Sequence, residues 1–576
     1  MDAFPEPTAA GALPARPPRS LAHAAALVAL AALAAAAYAN ALGGAFVFDD
    51  VEQIRDAPLI RDLANYLGSG AGYRAMPNRW VGYLTLALNH RLGGLEVTGY
   101  HLFNVGVHAL NGALVYALVV LTFRAERLRR SSLAGSAPVI ALVSAALFIV
   151  HPIQTQAVTY VVQRFTSLAT LFYLAAVVLY GAWRLRRERG EGGPSAAGLY
   201  AGALACAVLA MRTKEIAFTL PFAIVLYELA FFGPARRRWT LLLPFIATAA
   251  IIPLTNVDLG LRVGETMERA ASATRVQTAV GRLDYLRTEI AVVVTYVSLL
   301  LLPIGQSVDH EYPIYTSFAA PEVALSLAVL AVLAACAGYL AWRTRRDSPR
   351  PLDGAARLVA FCIGWWFLTL SVESSVIPIV DVINEHRVYL PSVGFFVAAG
   401  VGIALLGRRL SPERPLRAAL VAGALLAAVL AVATHQRNLV WTDAVSLWAD
   451  AASKAPGKAR PHHLLGAALV EQGRRVEALG PLRRAIALDP SLPWPREQLG
   501  ATLLALGRAD EAEPELREAL RLRGDYPEAA FNLAVLLSRT GRTGEAKDWF
   551  RRFLDVAPAA YNPRARALAE ARVAGP

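Results

Sequence analysis

Residues 416 to 435 read LRAALVAGALLAAVLAVATH, and residues 436 to 448 continue QRNLVWTDAVSLW. The first string is twenty residues with one charge, the length and composition of a transmembrane helix. The second is no flexible tether, which would be rich in Gly, Ser and polar residues. Its apolar residues, with Trp441 and Trp448 among them, fall at helical spacing. A membrane span therefore runs through a folded junction into something of a different kind.

Downstream, the sequence repeats with a period of 34. Leu465-Gly466, Leu499-Gly500 and Leu533-Ala534 are in register, as are Gly473, Gly507 and Gly541, and then Ala478, Ala512 and Ala546. This is the signature of tetratricopeptide repeats. Ala485 and Ala519 put small residues where paired helices touch, and Pro490 and Pro558 close the first and third units. Three full helix pairs are expected over 457 to 558. Ala444, Trp448, Ala451 and Pro456 sit where the second helix of a preceding repeat would lie, giving a half-repeat at 442 to 456 whose first helix is the end of the last span. Trp448 is expected to bury against the first full repeat. Pro514 lies inside an expected helix and should kink it or shift its start.

Upstream, the chain is apolar. Of its 576 residues 56% are hydrophobic and only 18% are charged, against about 25% charged in soluble domains. Apolar runs near 21 to 42, 100 to 123, 136 to 150, 165 to 183, 195 to 211, 216 to 233, 239 to 255, 321 to 342, 355 to 372, 388 to 407 and 416 to 435 predict about eleven transmembrane helices. The first run is too long for the apolar core of a cleaved leader and reads as an uncleaved span. The expectation is all-α: an N-terminal tail (1–19), a membrane domain (20–440) with a large external loop (43–98), a repeat α-solenoid (441–558) and a C-terminal tail (559–576).

Lys and Arg outnumber Asp and Glu by 57 to 44, a formal charge of +13. The excess collects in Arg124 to Arg130, Arg184 to Arg189, Arg236 to Arg238, Arg343 to Arg350 and Arg408 to Arg417. The positive-inside rule assigns all five to the cytoplasm. The apolar segment Ile290 to Leu302 must then be re-entrant or interfacial, since a crossing there would invert Arg343 to Arg350. Regions 43 to 98, 151 to 164, 256 to 320 and 373 to 387, and the repeats, fall outside. Heavy Ala and Arg use, with four lysines in all, points to a bacterial inner membrane. Cys206, Cys336 and Cys362 all lie in apolar runs, so no disulfide framework or thiolate metal site is expected. No P-loop, zinc motif or Gly-rich nucleotide fingerprint is present. No nucleic-acid partner is expected.

Polar residues gather where the charge rule puts the outer face. Asp49, Asp50 and Glu52 open the first external loop. Adjacent acids there cap helices or sit in solvent, or serve as a general base that takes the proton of a hydroxyl while an anionic group leaves the opposite face. His151 through Arg164, with Gln163, is dense in hydrogen-bonding groups. It reads as interfacial anchoring or as an anion site with Arg164 as donor. Arg212-Thr-Lys214-Glu215 is a tight charged turn at the boundary, either self-neutralising or functional. Glu373 and then Asp381 through Ser392, with Glu385, His386 and Arg387, precede the tenth span. Asp309-His310-Glu311-Tyr312 reads as a solvated loop. Asp49, Asp50 and Glu52 suit a divalent cation, whereas Arg164 and Lys214 make one unnecessary, so no cofactor is assigned.

Together, the acidic pair, His-Pro-x-x-Thr-x-Ala-Val at 151 to 158, Lys214-Glu215, Tyr-Leu-Pro-Ser-x-Gly at 389 to 394 and the C-terminal repeats resemble the TMTC-like protein O-mannosyltransferases. The resemblance implies a GT-C glycosyltransferase fold using a polyprenyl-phosphate-linked sugar. It implies Asp49 as base, supported by Asp50, with His151, Gln163, Arg164, Lys214, Glu215, Glu385, His386 and Arg387 around the substrate and the donor phosphate. Protein Ser/Thr is the implied acceptor, with a glycan or lipid as the alternative; membrane lipids and proteins docking on the repeats are the further partners. Animal members carry Arg directly after the Glu of the last block, whereas here His386 intervenes before Arg387. A non-catalytic membrane scaffold is the competing class, and it should tolerate Asn at position 49.

Overall fold

The computed structural model describes residues 19–233, 239–255, 280–345, 353–558 and 561–575. Among them every regular element is a helix. Expectations that fall on 1–18, 234–238, 256–279, 346–352, 559–560 and 576 lie outside the described residues.

Among the described residues eight helices are long and apolar enough to cross a membrane, from Ser20–Ala37 through Pro415–Trp441, and nine if Ala134–Val150 and Pro152–Val158, bent by 54°, form one span. The other two expected spans are shorter. Leu220–Phe231 has 12 residues and follows a 3-10 turn at Glu215–Thr219. The 239 to 255 run is broken into Leu243–Thr248 and Ile251–Thr255, where Pro244 and Pro253 each remove a backbone donor.

The bundle has two chemically distinct ends. At one, the basic loops meet: Arg127 donates to the Leu229 carbonyl at 3.2 Å, Arg408 to the Ser132 carbonyl at 2.6 Å and Arg357 to the Ala230 carbonyl at 3.2 Å. At the other, the polar clusters meet: Val81 N–H bonds the Arg212 carbonyl, Gln154 bonds Ser392, and Thr159 bonds Asn438. The segment read as re-entrant or interfacial is one continuous helix, Arg282–Leu301. Its whole length lies along the polar end. Tyr285 bonds the Glu373 carbonyl, Tyr296 the Asn384 carbonyl, and the Leu300 carbonyl accepts from His151. Four charged residues in its first half make it unfit for hydrocarbon but apt for that surface.

The repeats follow their period. The second helices begin at Arg475, Ala509 and Thr543, 34 residues apart. Gly473, Gly507 and Gly541 all take φ near +80°, at +78°, +77° and +83°, which only Gly adopts without strain. At Gly466 and Gly500 a Cβ would come within 2.6 Å of Leu482 and Leu516, so the small residue permits close helix pairing. Pro514 neither shifts nor ends its helix, which runs Ala509–Leu522. The half-repeat is the helix Ala444–Lys454, capped by Asp443, whose carboxylate accepts from the backbone of Val445 and Ser446. A last helix, Pro563–Ala574, packs on the third repeat.

Trp448 is buried in one apolar cluster with Ala468 of the first repeat, and it also has an aromatic partner outside the repeats. It packs edge-on against Phe48 of the first external loop, with ring centroids 5.2 Å apart. Trp441 and Trp448 share one apolar cluster with Val47, Ile54, Tyr160 and Phe165. The loop after the first span and the junction before the first repeat thus fold as one unit.

Candidate functional site

At the polar end lies a cleft of about 510 Å³. Its walls include Asp49, Gln53, Arg79, Gln156, Tyr160, Gln163, Lys214, Glu215, Glu373, Asp381, Asn384, His386 and Arg387. Of the ten residues singled out in sequence, Asp49, Gln163, Lys214, Glu215, His386 and Arg387 meet here, although more than 330 positions separate the first from the last.

Asp49 is held by its neighbours. Its backbone N–H donates to the Tyr160 hydroxyl at 3.0 Å, and that hydroxyl also faces the Asp49 carboxylate. Tyr160 is stacked between Phe48 at 6.1 Å and Trp441 at 5.3 Å. Phe48 itself has φ +55°, a left-handed backbone that a bulky side chain adopts only when the surroundings enforce it. Asp50 is fully buried behind the cleft, accepting from Val162 N–H at 2.7 Å and Val47 N–H at 3.2 Å. It ties the first loop to the 161–163 turn and fixes the direction in which Asp49 points. Burial raises both carboxyls, Asp50 to about 8, with the two backbone amides opposing the rise. For Asp49 the near charges of Asp381 and Glu52 push the same way, and Arg460 opposes them. A half-buried carboxylate raised above its ordinary range suits a general base better than a solvated one.

Cations line the same cleft. Lys214 Nζ is 2.9 Å from Glu373 and 2.9 Å from Thr166 Oγ1. An ammonium has three donors, so this geometry leaves capacity for one more acceptor. Arg79 reaches Glu215 at 3.4 Å and 3.5 Å, a loose pair. Burial alone would raise Glu373, but Lys214, Arg387 and Arg79 hold it below the usual carboxylate range. His386 lines the cleft. Burial first, then the charges of Lys214, Arg387 and Arg79, push its pKa far down. Its Nδ1 is buried with no partner among the described residues. The ring thus offers the cleft a hydrogen-bonding nitrogen beside Arg387.

The other sequence candidates lie off the cleft. Arg164 is fully buried; it donates to Asn104 Oδ1 at 2.7 Å, Asn89 Oδ1 at 2.6 Å and the Tyr100 carbonyl at 3.0 Å, and stacks over Phe103. Its guanidinium ties the second and fourth spans and the Trp80–Gly93 helix together. His151 accepts from Ile153 N–H through Nδ1 and donates to the Leu300 carbonyl through Nε2, pinning the bend in the third span. Glu385 lies beneath the floor, bonded to Ser307 N–H at 2.7 Å, Gln306 at 2.9 Å and His310 at 3.0 Å. The Asp309–Tyr312 segment, read as a solvated loop, is instead partly interior: Asp309 is 3% exposed and paired with Lys458 and Arg460 of the repeats. Arg79 is the residue that sequence reading missed. It follows Met76-Pro-Asn within the long loop, and nothing in that spacing marks it. Among the described residues no group of three or more His, Cys, Asp or Glu is arranged to hold a metal ion.

Fold and site define an integral membrane protein with a polar cleft at one end and a helical repeat array beside it. Residues 493–559 match the tetratricopeptide-repeat family profile. The chain is 26% identical to protein O-mannosyl-transferase Tmtc3 of Drosophila melanogaster, over 78% of this chain and 54% of that protein. It is 27% identical to Drosophila Tmtc1, over 79% and 60%, and 24% identical to human TMTC4, over 77% and 63%. The chain is thus similar, over about 78% of its length, to curated proteins named protein O-mannosyl-transferases. It spans about 54 to 63% of the length of these relatives.

Proposed function

We propose that the chain is a glycosyltransferase that moves a mannose-like sugar from a polyprenyl-phosphate-linked donor to a hydroxyl, with protein Ser/Thr as the acceptor. The observation that carries this reading is the presence together, in one cleft, of a raised carboxylate at Asp49 and the cations Arg79, Lys214 and Arg387. The acceptor hydroxyl loses its proton to Asp49 as its oxygen bonds the anomeric carbon. The bond from that carbon to the phosphate oxygen breaks on the opposite face. The departing polyprenyl phosphate takes the electron pair, and the cations meet its growing charge. A donor embedded in the bilayer also fits a cleft at one end of a helical bundle. By the charge rule that end is external, periplasmic in a bacterial inner membrane.

The test is transfer of labelled mannose from a short-chain polyprenyl-phosphate mannose to a Ser/Thr peptide by the purified full chain. Wild type is expected to turn over, and Asp49→Asn to lose about 10² to 10⁴ in rate, since an amide cannot accept the proton. Near-wild-type turnover by Asp49→Asn removes Asp49 from the mechanism and returns the scaffold reading to favour.

A further inference from the structure

The first repeat touches the cleft wall through a chain of short polar contacts. Arg460, the second residue of the helix Ala459–Glu471, directs Nη2 to Asp381 Oδ1 at 2.7 Å. The same guanidinium holds Asp309 through Nε at 2.6 Å and Nη2 at 2.6 Å. Asp381 lines the cleft. Its backbone carbonyl accepts from Arg387 Nη2 at 2.6 Å, and the next carbonyl, of Val382, accepts from Arg387 Nη1 at 2.9 Å. Residues 378 to 384 are in neither helix nor strand, so no backbone ladder fixes those two carbonyls. What does fix them is the Asp381 side chain, gripped from the repeats, and the anchor of Asn384 N–H on the Tyr296 hydroxyl at 3.0 Å.

We propose that Arg460 is a positioning residue for the donor phosphate: by gripping Asp381 it sets the Arg387 guanidinium at the cleft wall, so the first repeat is part of the donor site and not an appendage to it. This rests on the lipid-phosphate donor read above. Arg460 touches no substrate; it acts through Asp381 and Arg387. The contact is bidentate on Asp309 and shared with Asp381, a geometry that a planar guanidinium meets and a point-like ammonium meets only in part.

The experiment uses the full chain in detergent, short-chain polyprenyl-phosphate mannose as the varied donor and a fixed Ser/Thr peptide. Arg460→Ala is expected to raise the donor KM roughly ten-fold while the acceptor KM changes less than about two-fold, because the chain of contacts from Arg460 through Asp381 ends at Arg387. Asp381→Asn, which leaves the Asp309 contact in place, should give a similar donor-specific rise, and the double variant should be no worse than the larger single one, as expected for partners in one chain of contacts. Arg460→Lys should recover part of the donor KM. Losses that add, or a fall in kcat with the donor KM unchanged, would overturn the inference, since general loosening of the junction produces that pattern. A wild type that transfers while Arg460→Ala keeps its donor KM refutes the inference alone. A wild type that neither binds nor uses this donor refutes the donor reading, and the inference falls with it.

Discussion

In the repeat array Arg474 pairs with Glu477, Arg508 with Glu511 and Arg542 with Glu545, the same three-residue step recurring every 34 residues on exposed helix starts. Around the cleft Lys214 pairs with Glu373, Arg79 with Glu215 and Arg387 with Glu289, between segments 98 to 159 positions apart, with the first and last of these pairs largely buried. The chemistry of the pairs is alike, but their settings are opposite. Exposed periodic pairs are screened by solvent, add little to stability and keep a solenoid soluble. Buried aperiodic pairs carry desolvation that a fold tolerates where the charge is needed. Periodicity thus marks architecture, and broken periodicity marks chemistry.

Three variants sharpen that contrast. Lys214→Ala strips the cleft of a cation and leaves Glu373 buried without it. Donor kcat/KM should fall on the order of 10²-fold, whereas Lys214→Arg, which keeps the charge, should stay within about ten-fold of wild type. Equal losses in steady-state assays of the two would mean Lys214 is there for packing. Next comes a repeat acid that is buried like a cleft residue. Glu497 is 7% exposed, accepts from Asn532 Nδ2 at 2.8 Å, and is pushed by burial up to about 7. A carboxyl raised in the fold favours folding while protonated, at pH below its ordinary value, and that contribution is lost as pH rises through about 7. Glu497→Gln, always neutral, should therefore stabilise the array by about 1 to 2 kcal/mol at pH 8 and little at pH 4.5. Hydrogen exchange of residues 493 to 539 in the full chain reads this, and an equal effect at both values would sink it. Last, Arg508→Ala should change the array's stability by no more than about 0.5 kcal/mol in the same measurement. A larger loss would mean the periodic pairs do more than solubilise.

How far the sequence reached follows the same division. The repeats were legible almost to the residue, because each unit meets the same neighbour and the requirement for a small or αL residue recurs at a fixed step. In the membrane half, the polar clusters were legible as groups and their sorting to one end followed from charge alone. What each member does was not. Gln163 and Arg164 are adjacent and equally polar, yet one faces the cleft while the other turns inward to Asn104, Asn89 and Tyr100. A helix start sends successive side chains about 100° apart, and sequence density does not say which direction is hollow. Arg79 went unseen because a long loop carries no periodicity from which a residue can stand out. Two expected spans came out shorter than their apolar runs because Pro221, Pro244 and Pro253 restart or break the helices.

The left-handed turn at Phe48 has a consequence in time. It is braced by Tyr160 and Trp448, and Trp448 lies 400 residues further along the chain. At about 5 to 20 residues per second, a ribosome needs on the order of 20 to 80 s to make that second brace. Through that interval the acid pair is already synthesised, but the strained backbone before Asp49 has only half its support. Asp49 is thus among the first cleft residues made and among the last to be set in place, because its backbone support is complete only once the junction helix is.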